Sequence, residues 1–177
     1  MYDVAARAAL TVEIRPLQDS DQLGDVVAVL LRSAVDPSGR PYRAIISATV
    51  DDLAKAVVGG TCLVAIEQRW IVGAGIYHRS SRLTGSAYMR QPHVASVTQL
   101  AVDPLFRRRG IGATLLARAE ALARDDGATE LAAATPDFAV DTMDFLERRG
   151  YRIVEESDAT QPAFVTVVFS RWLGAAR

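Results

Sequence analysis

The 177-residue chain is sparing with several residue types, and each scarcity removes a class of function. It has one cysteine, Cys62, so it has no internal disulfide and no Cys-rich metal site. No metal is expected, and a reducing, cytoplasmic setting fits best. The formal net charge is only -1, which supplies no global field for holding a nucleic acid or an anionic membrane. Any anion must therefore be held by local geometry. Long hydrophobic runs are missing too: at the N-terminus Asp3, Arg7 and Glu13 interrupt the apolar residues too soon for a signal peptide or a membrane span. Lysine occurs once, at Lys55, so almost all the basic charge is arginine.

What is present is the composition of an ordinary globular protein, 50% hydrophobic and 23% charged. The length suits one compact domain over residues 1–177. "TVEIRPL" alternates like a half-buried strand. "DSDQLGDVVAVLLRSAV" reads as a helix capped at Asp19 and Ser20, and "SATVDDLAKAVVGG" as a second, capped near Thr49 and Asp51 and stopped by Gly59-Gly60. Between them, "DPSGRPYRA" is a loop. "TCLVAIEQ", "WIVGAGIYHR" and "VASVTQLAV" are strands by β-branched content and length. The "SSRLTGSAYMRQPH" connection is longer than a hairpin needs and is a candidate substrate loop. A helix from Gly112 places Leu115, Leu116, Ala119 and Leu122 on one stripe, with Gly127 as its stop. Then follow a strand "ELAAAT", a helix "AVDTMDFLERRG", and two strands, "YRIVEES" and "AFVTVVFSRWL". The predicted order is β-α-α-β-β-β-α-β-α-β-β.

"FRRRGIG", residues 106–112, leads from a strand into a helix. A helix N-terminus offers unpaired N–H groups and partial positive charge, Gly110 and Gly112 allow close approach, and the arginines add charge, so a pyrophosphate fits. A P-loop would need Lys followed by Ser or Thr where Ala113 and Thr114 stand. A dinucleotide fingerprint would need glycine at Leu115 and an acid ending the next strand, whereas Glu130 precedes it.

"QLAVDPLFRRRGIG" resembles the signature of the GCN5-related N-acetyltransferase (GNAT) family, and the likeness extends from "IRPLQDSD" through "IVGAGI" to "FLERRGYRI". The resemblance implies an α/β fold: a mixed, mostly antiparallel sheet, splayed between the fourth and fifth strands, with helices on both faces. It also implies acetyl-CoA as acetyl donor and an amine acceptor. The pyrophosphate would lie on Arg107, Arg108, Arg109, Gly110, Ile111, Gly112 and Ala113. The pantetheine arm would pair with the backbone of Leu100, Ala101 and Val102 as an added strand. A homodimer would be unsurprising in such a family.

This chain departs from the family where proton transfer is concerned. The frequent tyrosine acid falls at Leu146 and the frequent asparagine at Ala139; bases used by other members fall at Ser96, Thr98 or near Ala134. Ser96 and Thr98 share a strand face and could order a water that relays a proton. His93 has a suitable intrinsic pKa for a base, but its parity places it opposite them. His78, Tyr88, Glu67 and Asp36 are the remaining titratable candidates, His78 and Tyr88 reading as loop decoration. Cys62 reads as inert, Tyr151 as core, and Trp70 and Trp172 as core or interface anchors. Two functions follow: transfer of an acetyl group to a primary amine, or acyl-CoA binding without chemistry.

Overall fold

The computed structural model describes residues 12–34, 49–79, 86–157 and 165–174. Seven strands form one sheet in the order β1-β2-β3-β4-β5-β7-β6. They are β1 (Val12–Pro16), β2 (Thr61–Glu67), β3 (Trp70–His78), β4 (Val94–Val102), β5 (Glu130–Pro136), β6 (Arg152–Ser157) and β7 (Thr166–Trp172). The helices are α1 (Leu23–Ser33), α2 (Val50–Ala56), α3 (Ile111–Asp125) and α4 (Val140–Glu147). This is the predicted order, and all neighbours are antiparallel except β4 and β5.

Alternation along the strands divides the core in two. Leu63, Ala65, Ala95, Val97, Leu131 and Phe169 pack with Leu115, Leu116 and Ala119 of α3 and Leu146 of α4. From the other face, Cys62, Val64, Ala74 and Ile76 meet Val26, Val29 and Leu30 of α1 and Leu53 of α2. The period of two thus assigns α3 and α4 to one face and α1 and α2 to the other.

Two irregularities in β4 shape the centre. It pairs with β5 only from Val94↔Glu130 to Val97↔Ala133. Beyond that rung β4 continues along β3 to Val102, while β5 continues along β7 to Pro136, so the sheet forks. One step past the fork, Gln99 takes φ +53 and the β3 register shifts between Ala74 and Ile76. This bulge reverses side-chain parity: Ala95 and Val97 face α3, and so do Leu100 and Val102, which pack against the same cluster.

One sequence expectation is corrected and another is narrowed. Helix α1 begins after Gln22, without a side-chain cap, rather than at Asp19 or Ser20. The carboxylate nearby, Asp21, is taken by a bidentate pair with Arg15 (2.6 and 2.8 Å) and by the Gln18 N–H (2.7 Å). Trp70 and Trp172 lie outside the core, 59% and 62% exposed, at the start of β3 and the end of β7. Tyr151 is core as expected, its hydroxyl donating to buried Glu120 at 3.0 Å. Asp36, the "DPSGRPYRA" loop and residues 80–85 of the long loop lie outside the described residues.

Candidate active site

Strand β4 leaves the sheet through Asp103, whose carboxylate accepts from the Leu105 N–H (3.0 Å) and from Arg32 Nε of α1 (2.7 Å). The chain then turns through residues in the left-handed region, Arg108 at φ +61 and Gly110 at φ +82, and enters α3. The first hydrogen bond into the helix runs from the Thr114 N–H to the Gly110 carbonyl (3.0 Å). The amides of Ile111, Gly112 and Ala113 precede it and have no intrahelical acceptor, which makes this turn an anion site by helix geometry. Gly112 is open enough for a methyl group: an added Cβ would lie 3.6 Å from both Phe145 Cζ and Val102 Cγ2. A larger group there would require the Phe145 ring or Val102 to move.

The three arginines of the turn are not equivalent. Arg107 donates to the Ser33 carbonyl (2.9 Å) and, more weakly, to the Val102 carbonyl (3.3 Å). Arg109 is bound bidentately by buried Glu67 (2.5 and 3.1 Å) and stacks on Phe106. Arg108 is exposed, and no side-chain partner is found for it among the described residues. Two of the three guanidinium groups therefore brace the turn against α1 and the β2–β3 hairpin, a division of roles invisible in the run "RRR".

At the fork, Ser96 pairs across the ladders with His78 on one side and Ala132 on the other, one rung before the strands part. Thr98 comes just after the last rung, so the two hydroxyls straddle the fork on the α1/α2 face, opposite Ala95 and Val97. Ser96 is fully buried, and its Oγ is the one buried side-chain polar atom among the described residues without a hydrogen-bond partner. A buried hydroxyl left unpaired costs free energy that a water or a ligand group can recover. His78, read as decoration flanking the long loop, is the last residue of β3, inside the predicted strand, and its side chain is buried. Burial lowers its pKa, opposed by a hydrogen bond to the Ala56 backbone.

His93 precedes β4 rather than continuing its alternation, and its Nε2 lies 3.6 Å from Glu130 Oε1. Glu130 also accepts from the Tyr88 and Ser170 hydroxyls, both at 2.6 Å. Burial pushes the Glu130 pKa up, but Ser170, Tyr88 and His93 outweigh it and leave it lowered. Glu155 of β6 adds a second anchor, accepting from the Tyr88 N–H (2.7 Å) and Ser86 Oγ (3.0 Å). With Met89 buried against Val94, Ala132 and Val168, the described end of the long loop is held down on β5, β7 and β6. Sequence reasoning missed this network, whose partners lie 42 and 67 residues from Tyr88.

Leu146 is fully buried in the α3-side core and Ala139 is the uncapped N-cap of α4, so neither supplies a polar group. Ala134 is exposed, beyond the fork on β5. Cys62 is buried in β2, and desolvation raises its thiol pKa to about 11, as an inert residue requires.

Helix turn, fork and element order can be set beside known proteins. The model of the acetyltransferase (GNAT) family matches residues 28–151. The chain belongs to the GNAT family. No curated protein sequence matches it. Among solved structures, the ribosomal-protein-S18-alanine N-acetyltransferase from Escherichia coli superposes with TM-score 0.69 at 13% identity, covering 94% of this chain and 97% of its own. A GNAT-family acetyltransferase from Staphylococcus aureus Mu50 gives 0.67 at 16%, covering 93% and 100%. One from Elizabethkingia anophelis, with acetyl-CoA bound, gives 0.67 at 13%, covering 91% and 97%. At these identities the GNAT structures share the fold with this chain, while the acceptor is a matter for its own residues.

Proposed function

We propose that this GNAT protein transfers an acetyl group from acetyl-CoA to a primary amine. The observation that carries the reading is the juxtaposition of the unpaired α3 amides with the β4–β5 fork. The residues fit such a donor. The amides of Ile111, Gly112 and Ala113 would hold the pyrophosphate, supported by Arg108 and by the turn that Arg107 and Arg109 brace. Residues Leu100, Ala101 and Val102 have no ladder rung with β5, so their backbone can take the pantetheine arm as a strand. Acetyl-CoA supplies the activated thioester.

The acceptor approaches from the α1/α2 face, where the described end of the long loop is fastened by Glu130 and Glu155. Holding both reactants at the fork contributes several kcal/mol through proximity alone. Ser96 and Thr98 order a water that receives the amine proton, with the orphaned Ser96 hydroxyl as its innermost partner. Replacing both with alanine should lower kcat and leave acetyl-CoA affinity unchanged; undiminished turnover would remove the relay. His93, held at Glu130, is the weaker candidate for the base.

The second reading is an acyl-CoA binder without turnover. It is favoured by the absence of a carboxylate or imidazole at Ser96, Thr98, Ala134 and Leu146. Thermal unfolding with saturating acetyl-CoA, with NADH and ATP as controls, tests what both readings share. Binding at about a hundred times Kd adds about 2.7 kcal/mol, or roughly 5–10 °C for a domain of this size. A rise with acetyl-CoA alone supports the donor assignment, and an amine panel monitored for CoA release then separates enzyme from binder. A rise only with NADH or ATP would overturn both readings.

A further inference from the structure

We propose that Arg149, at the end of α4, is a phosphate ligand for the nucleotide half of the donor, taking the 3′-phosphate of CoA. The proposal rests on the acyl-CoA reading above. Its starting point is a stack of three residues. The Arg149 guanidinium lies 4.7 Å from the centroid of the Phe145 ring. The edge of that ring in turn faces Gly112, with Cζ 3.6 Å from where a Cβ would be. An exposed cation is thereby placed one ring away from the first turn of α3.

The neighbouring arginines show why this one is different. Arg148 pairs with Asp144 (3.7 Å), Arg109 with Glu67, and Arg107 with backbone carbonyls. Arg149 has the Phe145 face and no carboxylate among the described residues. Stacking orients a guanidinium without using its donors: the ring meets the flat face, while the N–H groups point outward in the plane, in the geometry that binds phosphate. The ring also removes side-chain freedom in advance, so less is lost when an anion binds.

The chemistry of the donor calls for a second cation. Coenzyme A carries a pyrophosphate and a separate 3′-phosphomonoester, and a phosphomonoester holds about -1.5 to -2 charges at neutral pH. One helix turn with its few free amides suits the pyrophosphate. The monoester needs charge at a distance from that turn, and Arg149 supplies it across Phe145.

The test needs no acceptor. Titration calorimetry would compare CoA with 3′-dephospho-CoA on the full chain and on Arg149→Gln, with ligand-free thermal unfolding to confirm that this exposed substitution leaves the fold intact. The expected result is a loss of about tenfold to a hundredfold in CoA affinity, with dephospho-CoA affinity nearly unchanged. Arg149→Lys should recover part of the loss. An equal loss for both ligands would keep Arg149 as a phosphate ligand but move its contact to the pyrophosphate. Wild-type affinity for both ligands in Arg149→Gln would overturn the proposal while leaving the acyl-CoA reading intact. A wild-type chain that binds neither ligand would end both.

Discussion

The two faces of the sheet are built by different means. On the α3/α4 face the candidate donor site is local: a strand end, a short turn and the first turn of a helix, contiguous from Leu100 to Ala113. On the α1/α2 face nothing comparable is contiguous. Ser96, His78 and Ala132 meet through ladder register, and Tyr88 reaches Glu130 and Glu155 across the fold. A site made of consecutive backbone can be conserved in form while side chains vary. One assembled from distant side chains is free to change with the acceptor.

That contrast can be broken most severely in the shared core. Phe169, fully buried on the α3 side, should cost about 3–5 kcal/mol when replaced by alanine. Trp172→Ala, also on β7 but 62% exposed, should stay within about 0.5 kcal/mol, both read by urea unfolding. Next in size is the donor turn. Gly112→Trp should abolish acetyl-CoA binding, whereas Gly112→Ala, with ordinary 3.6 Å contacts, should retain it; equal affinity in both variants would move the anion elsewhere.

A smaller effect belongs to Asp21, whose pKa is lowered to about 2 by Arg15 and by the Gln18 amide. A depressed carboxylate contributes stability above its unfolded pKa, near 3.8, and loses it as pH falls through the folded value. Acid unfolding of Asp21→Asn should therefore be flatter between about pH 4 and pH 2 than that of the wild type. Smallest of all, Ser96→Ala should leave stability unchanged or raise it slightly, because the hydroxyl it removes has no partner. A clear destabilisation would show that Ser96 is bonded in solution and weaken the relay.

The same local-versus-distant division governs what could be read from the sequence. The order of elements, the exact span of β4 and the α3 turn followed from short-range pattern, and the fork followed from the GNAT resemblance. The roles of the three arginines did not, since Arg109 is claimed by Glu67 from 42 residues away. The burial of His78 at its strand end was not legible because it depends on α2 and the Gly60 turn: a Cβ on Gly60 would lie 2.6 Å from the imidazole. The α1 cap was misplaced because Asp21, the third polar residue of "DSD", is drawn off by Arg15 on β1. In each case the local rule was sound, and a partner from another element overrode it.

The bulge at Gln99 makes β4 a strand with two phases. Were the alternation uninterrupted, Leu100 and Val102 would share a face with Ser96 and Thr98, and the acceptor side of the fork would be lined with large apolar groups. One additional residue separates a hydroxyl-bearing segment from an apolar one without breaking the strand between them. Position 99 is therefore the residue whose loss the pattern absorbs: deleting it would set Thr98 and Leu100 in strict alternation, each still on its present face, and would remove only the bulge between the two phases.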